Sequence, residues 1–247
     1  MANKYRSPNS TVPYHTTTYD YIHPSKFTNS LTNKIVLITG AGRGIGRATA
    51  LAFAAAGASV ACLSRTRSDV DAVVAEIERR GFPRALAIVG DVTDASAPAR
   101  VVREVEEGLG QIDVLINNAG TSRVSDIEHE RDMSKAFGVI DVSMKGTLGF
   151  VHAVIPSMIK RKTGVIVNIV SVLATINLPY FAAYSAAKAG MIRATEIMDL
   201  EFRPHGIYSY AVAPGMVADT TLGCGAFNEE AMGEVEQMRR MVEEFGP

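Results

Sequence analysis

Six short apolar runs, separated by longer segments with helical spacing, constrain the fold of this chain more than any other feature of its 247 residues. The runs are Ile35–Ile38, Ser59–Leu63, Ala85–Val89, Val114–Ile116, Val165–Val170 and Ile207–Val212. Between them lie helical patterns over Arg47–Ala56, Val70–Ile77 and Ala97–Glu107, a long one reaching about Lys162, and another ending at Phe202. A strand with one wet face alternates apolar and polar residues, whereas a continuous apolar strand is buried on both faces. Parallel sheets covered by helices bury strands in this way. The pattern therefore predicts one doubly wound α/β domain: a parallel sheet with helices on both faces. No repeat with a period of 20–50 residues interrupts it, which excludes solenoids and propellers.

Charge and cysteine usage narrow the function classes. Lys+Arg is 25 and Asp+Glu is 26, a net charge of −1, so no broad basic surface is available for nucleic acid or an anionic membrane. Cys62 and Cys224 are too few and too far apart for a disulfide framework or a cysteine zinc site, which fits a reducing compartment. His15, His23, His129, His152 and His205 show no metal-ligand spacing, and no metal is expected. No run of 18 apolar residues occurs and the N-terminus has no apolar signal core, so the expectation is a cytoplasmic protein with no membrane partner.

Residues 1–33 are rich in Ser, Thr, Asn and Pro and read as an extension outside the core. Tyr5, Tyr14, Tyr19 and Tyr21 lie in it, and such aromatic content suits an arm that packs on the body or on a neighbouring subunit. The body then occupies 34–247, with a substrate lid after residue 214.

The first apolar run leads directly into Thr39-Gly40-Ala41-Gly42-Arg43-Gly44-Ile45-Gly46 and then a helix. Glycines at a strand-to-helix junction let the backbone turn tightly and approach a pyrophosphate, and the open N–H groups of the following helix favour the anion. In an alternating α/β chain this is the place of a dinucleotide, and the fold expected is Rossmann-like. A plain tight turn is the alternative. The glycine spacing is better written Gly40-x-x-x-Gly44-x-Gly46 than G-x-G-x-x-G.

That spacing, together with Asn117-Asn118-Ala119-Gly120, Ser171, Tyr184-x-x-x-Lys188 and Pro214-Gly215, resembles the short-chain dehydrogenase/reductase family in order and spacing from about Lys34 to Thr220. The resemblance implies strand order 3-2-1-4-5-6, usually with a seventh strand, and a homodimer or homotetramer built through the long helices. It implies cofactor contacts from Gly40, Arg43, Gly44, Ile45 and Gly46, from Asp91 and Val92 near the adenine, and from Asn117, Ala119 and Gly120. Tyr184, Lys188, Pro214, Gly215 and Val217 are further contacts on the nicotinamide side. For Asn117 a structural role in the sheet is equally open.

The end of the second run decides which dinucleotide is expected. An acidic residue there would hydrogen-bond the adenine ribose 2′-OH, and a basic one accommodates a 2′-phosphate. The chain reads Leu63-Ser64-Arg65-Thr66-Arg67, with Ser64 where NAD-preferring relatives place Asp. Arg65 and Arg43 can clamp a dianionic phosphate through charge-assisted bonds, so NADP(H) is the cofactor expected.

Tyr184 and Lys188 are four residues apart on a helical pattern and so share one face about 6 Å apart along the axis. A tyrosine is a poor base at neutral pH, and a nearby ammonium is expected to favour its phenolate. By resemblance, Ser171 holds the substrate oxygen, Tyr184 exchanges its proton, and Lys188 also binds the nicotinamide ribose. One position departs from the family: where many relatives carry an asparagine that holds a relay water, this chain has Ser143, a shorter group without separate amide donor and acceptor.

The reading is an NADPH-dependent oxidoreductase acting on a carbonyl or secondary alcohol of a small molecule. Its alternative is an NADP-binding relative reused for a non-redox transformation or as a cofactor-sensing module. Val172–Phe181 and Met216–Leu222 are the expected walls; both are mostly apolar, which suits an apolar or aromatic ketone better than a phosphorylated sugar or a carrier-protein thioester. Beyond them, Met232, Val235, Met238 and Val242 form one apolar helical face. No final strand is evident in the sequence after it.

Overall fold

The computed structural model describes residues 22–125, 127, 128, 130, 132–215 and 217. The four arm tyrosines, the lid residues other than Val217, the amphipathic stretch at 229–244 and the expected lack of a final strand lie outside the described residues.

Six strands, β1 (Ile35–Thr39), β2 (Ser59–Ser64), β3 (Ala85–Val89), β4 (Val114–Asn117), β5 (Gly164–Ile169) and β6 (Ile207–Val212), form one sheet in the order β3-β2-β1-β4-β5-β6. Every pairing is parallel. The doubly wound fold and the strand order implied by the sequence are both present. Helices α1 (Gly44–Ala55), α2 (Arg67–Arg79) and α3 (Ala97–Gly108) follow the first three strands. After β4 come α4 (Met133–Ile140), a π-helical turn (Asp141–Gly146) and α5 (Thr147–Arg161), and α6 (Ala182–Phe202) precedes β6.

The continuous apolar runs have the cause expected of them. Side chains alternate across a strand, and Leu37, Leu63, Leu115 and Ile166 enter a core with Phe150 and Met191 on one side of the sheet. Val36, Ile38, Val60, Cys62 and Ile116 enter a second core with Ala50, Val70 and Val73 on the other. β6, the last strand of the sheet among the described residues, differs: Ile207 and Ser209 are buried, while Tyr208, Tyr210 and Val212 are exposed among those residues.

Met133–Arg161 is a continuous helical stretch of 29 residues that contains an 18-residue window with a mean hydropathy of 1.3, long and apolar enough by length and composition to cross a membrane. Its apolarity has an internal destination, because Phe150, Val151, Val154 and Met158 are buried in the first core. The arm is not wholly outside the body. Residues Pro24–Phe27 form a short turn, the Leu31 amide donates to Ala56 O at 2.9 Å, and the Leu31 side chain packs against the second core.

The strand order reverses between β1 and β4, which brings Thr39 beside Asn117 at the C-terminal edge of the sheet. In open α/β sheets this edge opens a crevice for a ligand.

Candidate active site

The glycine loop fills one side of that crevice. Gly40 has φ +66°, a left-handed conformation that favours glycine. A Cβ on Gly46 would lie 2.1 Å from Gly40 O, so the first turn of α1 can approach the loop only without a side chain there. Arg43 precedes α1 as its N-cap, is exposed and makes no side-chain capping bond, which leaves the first-turn amides open to an anion. Gly44 and Ile45 begin the helix. These features fit a dinucleotide pyrophosphate.

Asn118, a residue the sequence reading passed over, locks the loop to the end of β4. Its Nδ2 donates to Thr39 O at 3.0 Å and to Gly40 O at 3.1 Å. Thr39 Oγ1 in turn accepts from the amides of Asn118 and Ala119 at 3.1 and 3.0 Å. The available signal was a doubled asparagine directly after an apolar strand. Asn117 is committed elsewhere: its Nδ2 donates to Asn168 Oδ1 at 2.9 Å, Asn168 Nδ2 donates to Thr195 Oγ1 at 2.9 Å, and Thr195 Oγ1 donates to Met191 O at 2.6 Å. This buried chain ties β4, β5 and α6 together, which is the structural role left open for Asn117.

On the outer side of the crevice, Ser64 Oγ accepts from the Thr66 amide at 3.1 Å and donates to Thr66 O at 3.0 Å, closing a local turn. Arg65 reaches outward from it, with Nη1 3.8 Å from Asp91 Oδ2. Burial pushes the Asp91 carboxyl up, but two bonds from Thr93 and the Arg65 charge outweigh it and hold the group below its usual range. Val92 packs on the π turn, where a Cβ on Gly146 would lie 2.9 Å from Val92 Cγ2.

The reactive side chains gather at the end of β5. Ser171 caps the short Val172–Ala174 turn: its Oγ accepts from the Leu173 amide at 3.2 Å, and its hydroxyl acts on the Tyr184 phenol to lower its pKa. Tyr184 and Lys188 stand one turn apart on α6, 7% and 5% exposed. Lys188 Nζ donates to Ile169 O at 2.8 Å and lies 5.7 Å from the centre of the Tyr184 ring. A Cβ on Gly120 would come within 3.8 Å of the same Nζ.

The electrostatics differ from the spacing argument. Burial pushes the Tyr184 phenol above 10, with the Ser171 hydrogen bond opposing in part. Burial also brings the Lys188 ammonium down to about 8. The i, i+4 spacing led to a lowered tyrosine; desolvation, which that spacing does not reveal, is the larger effect.

Ser143 lies in the π turn, 2% exposed, and its Oγ has no hydrogen-bond partner among the described residues. Phe181, Val139 and Tyr184 form a small apolar cluster with Leu173, Leu178 and Val124 against it, whereas Val172 and Ile176 are exposed. Nearby, Arg123 Nε and Nη2 meet the Glu130 carboxylate at 2.7 and 3.1 Å. Pro214 and Gly215, the latter at φ +75°, follow β6 and are exposed, as is Val217.

Comparison with known proteins agrees with this fold. A short chain dehydrogenase of Pseudocercospora fijiensis is 35% identical over 238 residues, covering 95% of this chain and 76% of the relative. The crystal structure of a metagenomic short-chain oxidoreductase in complex with NADP is 32% identical, with a TM-score of 0.71 over 75% of this chain and 83% of that one. A 3-oxoacyl-[acyl-carrier protein] reductase of Brucella melitensis with bound NAD is also 32% identical, with a TM-score of 0.76 over 83% of this chain and 80% of that one. The short chain dehydrogenase family model matches residues 34–230, and the chain belongs to that family of oxidoreductases.

Proposed function

We propose that the chain is an NADP(H)-dependent oxidoreductase that interconverts a ketone and a secondary alcohol on an apolar small molecule. The observation that carries this reading is the joining of Ser171, Tyr184 and Lys188 at the end of β5, beside a glycine loop shaped for a dinucleotide. Gly40, Gly44, Gly46 and the first-turn amides of α1 would hold the pyrophosphate. Arg65 and Arg43 would take the 2′-phosphate, and Lys188 the nicotinamide ribose. Bound NADPH supplies the hydride.

The chain's own residues perform the rest. Ser171 Oγ holds the substrate oxygen by a hydrogen bond that strengthens as negative charge develops there. Tyr184 gives its proton to that oxygen during reduction and takes it back during oxidation. With its phenol raised above 10, Tyr184 is protonated at neutral pH, which favours the reductive direction. Lys188, charged below about pH 8, stabilises negative charge passing to the phenol oxygen.

The apolar group around Phe181, together with exposed Val172 and Ile176, supports an apolar or aromatic ketone as substrate class. Arg123 is committed to Glu130 rather than offered to an anionic substrate. Leu148 and Ile159 on α5 and Ile197 and Leu200 on α6 are exposed, which supports a homo-oligomer formed through these helices. The test is NADPH oxidation against a panel of aliphatic and aromatic ketones, a 3-oxoacyl thioester and a phosphorylated sugar, run alongside Tyr184→Phe. Turnover of the ketones by wild type alone is expected. Ser143 in place of the asparagine of many relatives, its hydroxyl without a hydrogen-bond partner among the described residues, supports a second reading, nucleotide binding without redox turnover, which wild type that binds NADPH but reduces no carbonyl of the panel would favour.

A further inference from the structure

Arg65 already has a partner. It leaves β2 with 71% of its side chain exposed, and its Nη1 is 3.8 Å from Asp91 Oδ2. The two residues extend from adjacent strands, since Ser64 of β2 pairs with Val89 of β3. The ion pair therefore crosses the outer half of the nucleotide crevice.

Asp91 is no loose surface carboxylate. Its Oδ1 accepts from the Thr93 amide at 2.9 Å and from Thr93 Oγ1 at 2.8 Å, which fixes the carboxylate and leaves Oδ2 toward the guanidinium. The neighbouring charges are engaged elsewhere: Asp94 accepts from the amide and hydroxyl of Ser96, and Arg67 pairs with Asp71 at 3.7 Å. Ser64 Oγ is occupied within its own turn. Asp91 is thus the resident counter-ion of the arginine placed to meet a 2′-phosphate.

We propose that Asp91 is a specificity-determining residue that narrows the preference for NADP(H) over NAD(H) by competing with the 2′-phosphate for Arg65. The proposal rests on the reading of Arg65 given above. When NADP(H) binds, the dianionic phosphate draws the guanidinium away and the ion pair with Asp91 is lost. When NAD(H) binds, Arg65 stays on Asp91 and the ion pair is kept. Breaking the pair therefore counts against NADP(H) alone, whereas any adenine contact of Asp91 is common to both nucleotides, and the gap between the two cofactors narrows. An acidic residue that usually favours NAD(H) from the end of the second strand acts here from the end of the third.

The experiment uses the full chain and reads nucleotide binding by isothermal titration calorimetry, independently of turnover. Asp91→Asn keeps an oxygen for Thr93 and removes the charge. The ratio of its Kd for NADH to its Kd for NADPH is expected to rise about three- to fivefold, the scale of one exposed ion pair, because a changed adenine contact moves both nucleotides alike and cancels in the ratio. In an Arg65→Gln background the same substitution is expected to change that ratio by less than about 1.5-fold, because there is no guanidinium to compete for. Arg65→Gln alone, at an exposed position that tolerates exchange, is expected to weaken NADPH and spare NADH. An unchanged or lower ratio in Asp91→Asn overturns the proposal, as does a full effect that persists without Arg65. If wild type binds neither nucleotide, the cofactor reading itself falls and takes this proposal with it; wild-type binding without the Asp91 effect overturns the proposal alone.

Discussion

Lys188 Nζ donates a 2.8 Å hydrogen bond to the carbonyl oxygen of Ile169, the last residue of β5, and this holds the ammonium 5.7 Å from the centre of the Tyr184 ring. The strand end thus sets where the charge sits, and α6 sets how deeply it is buried. Both residues are removed from water, which disfavours the charged form of each. The resting pair at neutral pH is a neutral phenol beside an ammonium, the protonation state needed to donate to a carbonyl oxygen.

This state has a pH signature. Lys188 is lowered to about 8, so it is charged below that value and neutral above it. Tyr184 is raised above 10, so it keeps its proton throughout the same range. The kcat for ketone reduction is expected to be level up to about pH 7 and to fall through about pH 8 as Lys188 loses its charge. Oxidation of the alcohol is expected to rise with pH, because the phenol must lose its proton there. Rate profiles in both directions check this, and Lys188→Met removes the limb near 8. A reduction profile that is flat across that region contradicts the assignment.

Tyr184→Phe deletes one oxygen and leaves the ring against Phe181 and Val139. Loss of positioned proton transfer is expected to lower kcat by about 10²–10⁴-fold, far more than any loss of NADPH affinity from the missing hydroxyl contact. Ser171→Ala removes a donor to the substrate oxygen and is expected to lower kcat by about 10²–10³-fold. Single-turnover rates alongside binding isotherms separate these losses from lost affinity. A Tyr184→Phe protein with near-normal turnover would remove the tyrosine from the chemistry.

The sheet was legible in the sequence because burial on both faces leaves a local mark: Ile35–Ile38 is apolar at every position, since alternate residues feed two cores. β6 carries the same apolar mark, yet Tyr208, Tyr210 and Val212 are exposed among the described residues, because an apolar run does not reveal how much of each face its neighbours cover. The glycine loop and the Tyr184–Lys188 spacing were legible as short patterns. The bonds of Asn118 to Thr39 and Gly40, and the chain from Asn117 through Asn168 to Thr195, were not. Their partners stand far apart in sequence and meet only through strand pairing. The direction of the tyrosine shift was missed for a related reason: helical spacing gives a neighbour, and only the packed structure gives the burial.

Asn168 is the middle member of that polar chain, accepting from Asn117 and donating to Thr195. Truncating it strands the Asn117 amide without an acceptor inside the protein, where each unmet polar group costs about 1–3 kcal/mol. Asn168→Ala is expected to lower the melting temperature by about 4–10 °C. Asn168→Asp, which keeps an acceptor for Asn117 but loses the donor to Thr195 and adds a buried charge, is expected to be at least as destabilising at neutral pH. Calorimetry of both variants checks the order, and an Asn168→Ala protein as stable as wild type would show that the chain contributes nothing to the fold.

Ser143 poses the opposite situation, a buried hydroxyl whose oxygen has no hydrogen-bond partner among the described residues. Removing a group that makes no bond forfeits nothing in the fold, so Ser143→Ala is expected to leave stability within about 0.5 kcal/mol of wild type or to raise it slightly. The position lies in a π turn, a local departure from α geometry that often accompanies functional sites. If the hydroxyl holds a water that passes a proton during turnover, Ser143→Ala is expected to lower kcat by about tenfold or more, with KM and melting temperature unchanged. The combined readout is decisive because a purely structural serine would move stability before rate. A variant with wild-type kcat and an unchanged melting temperature would show that the hydroxyl serves neither, and would leave Ser171, Tyr184 and Lys188 as the complete reactive set.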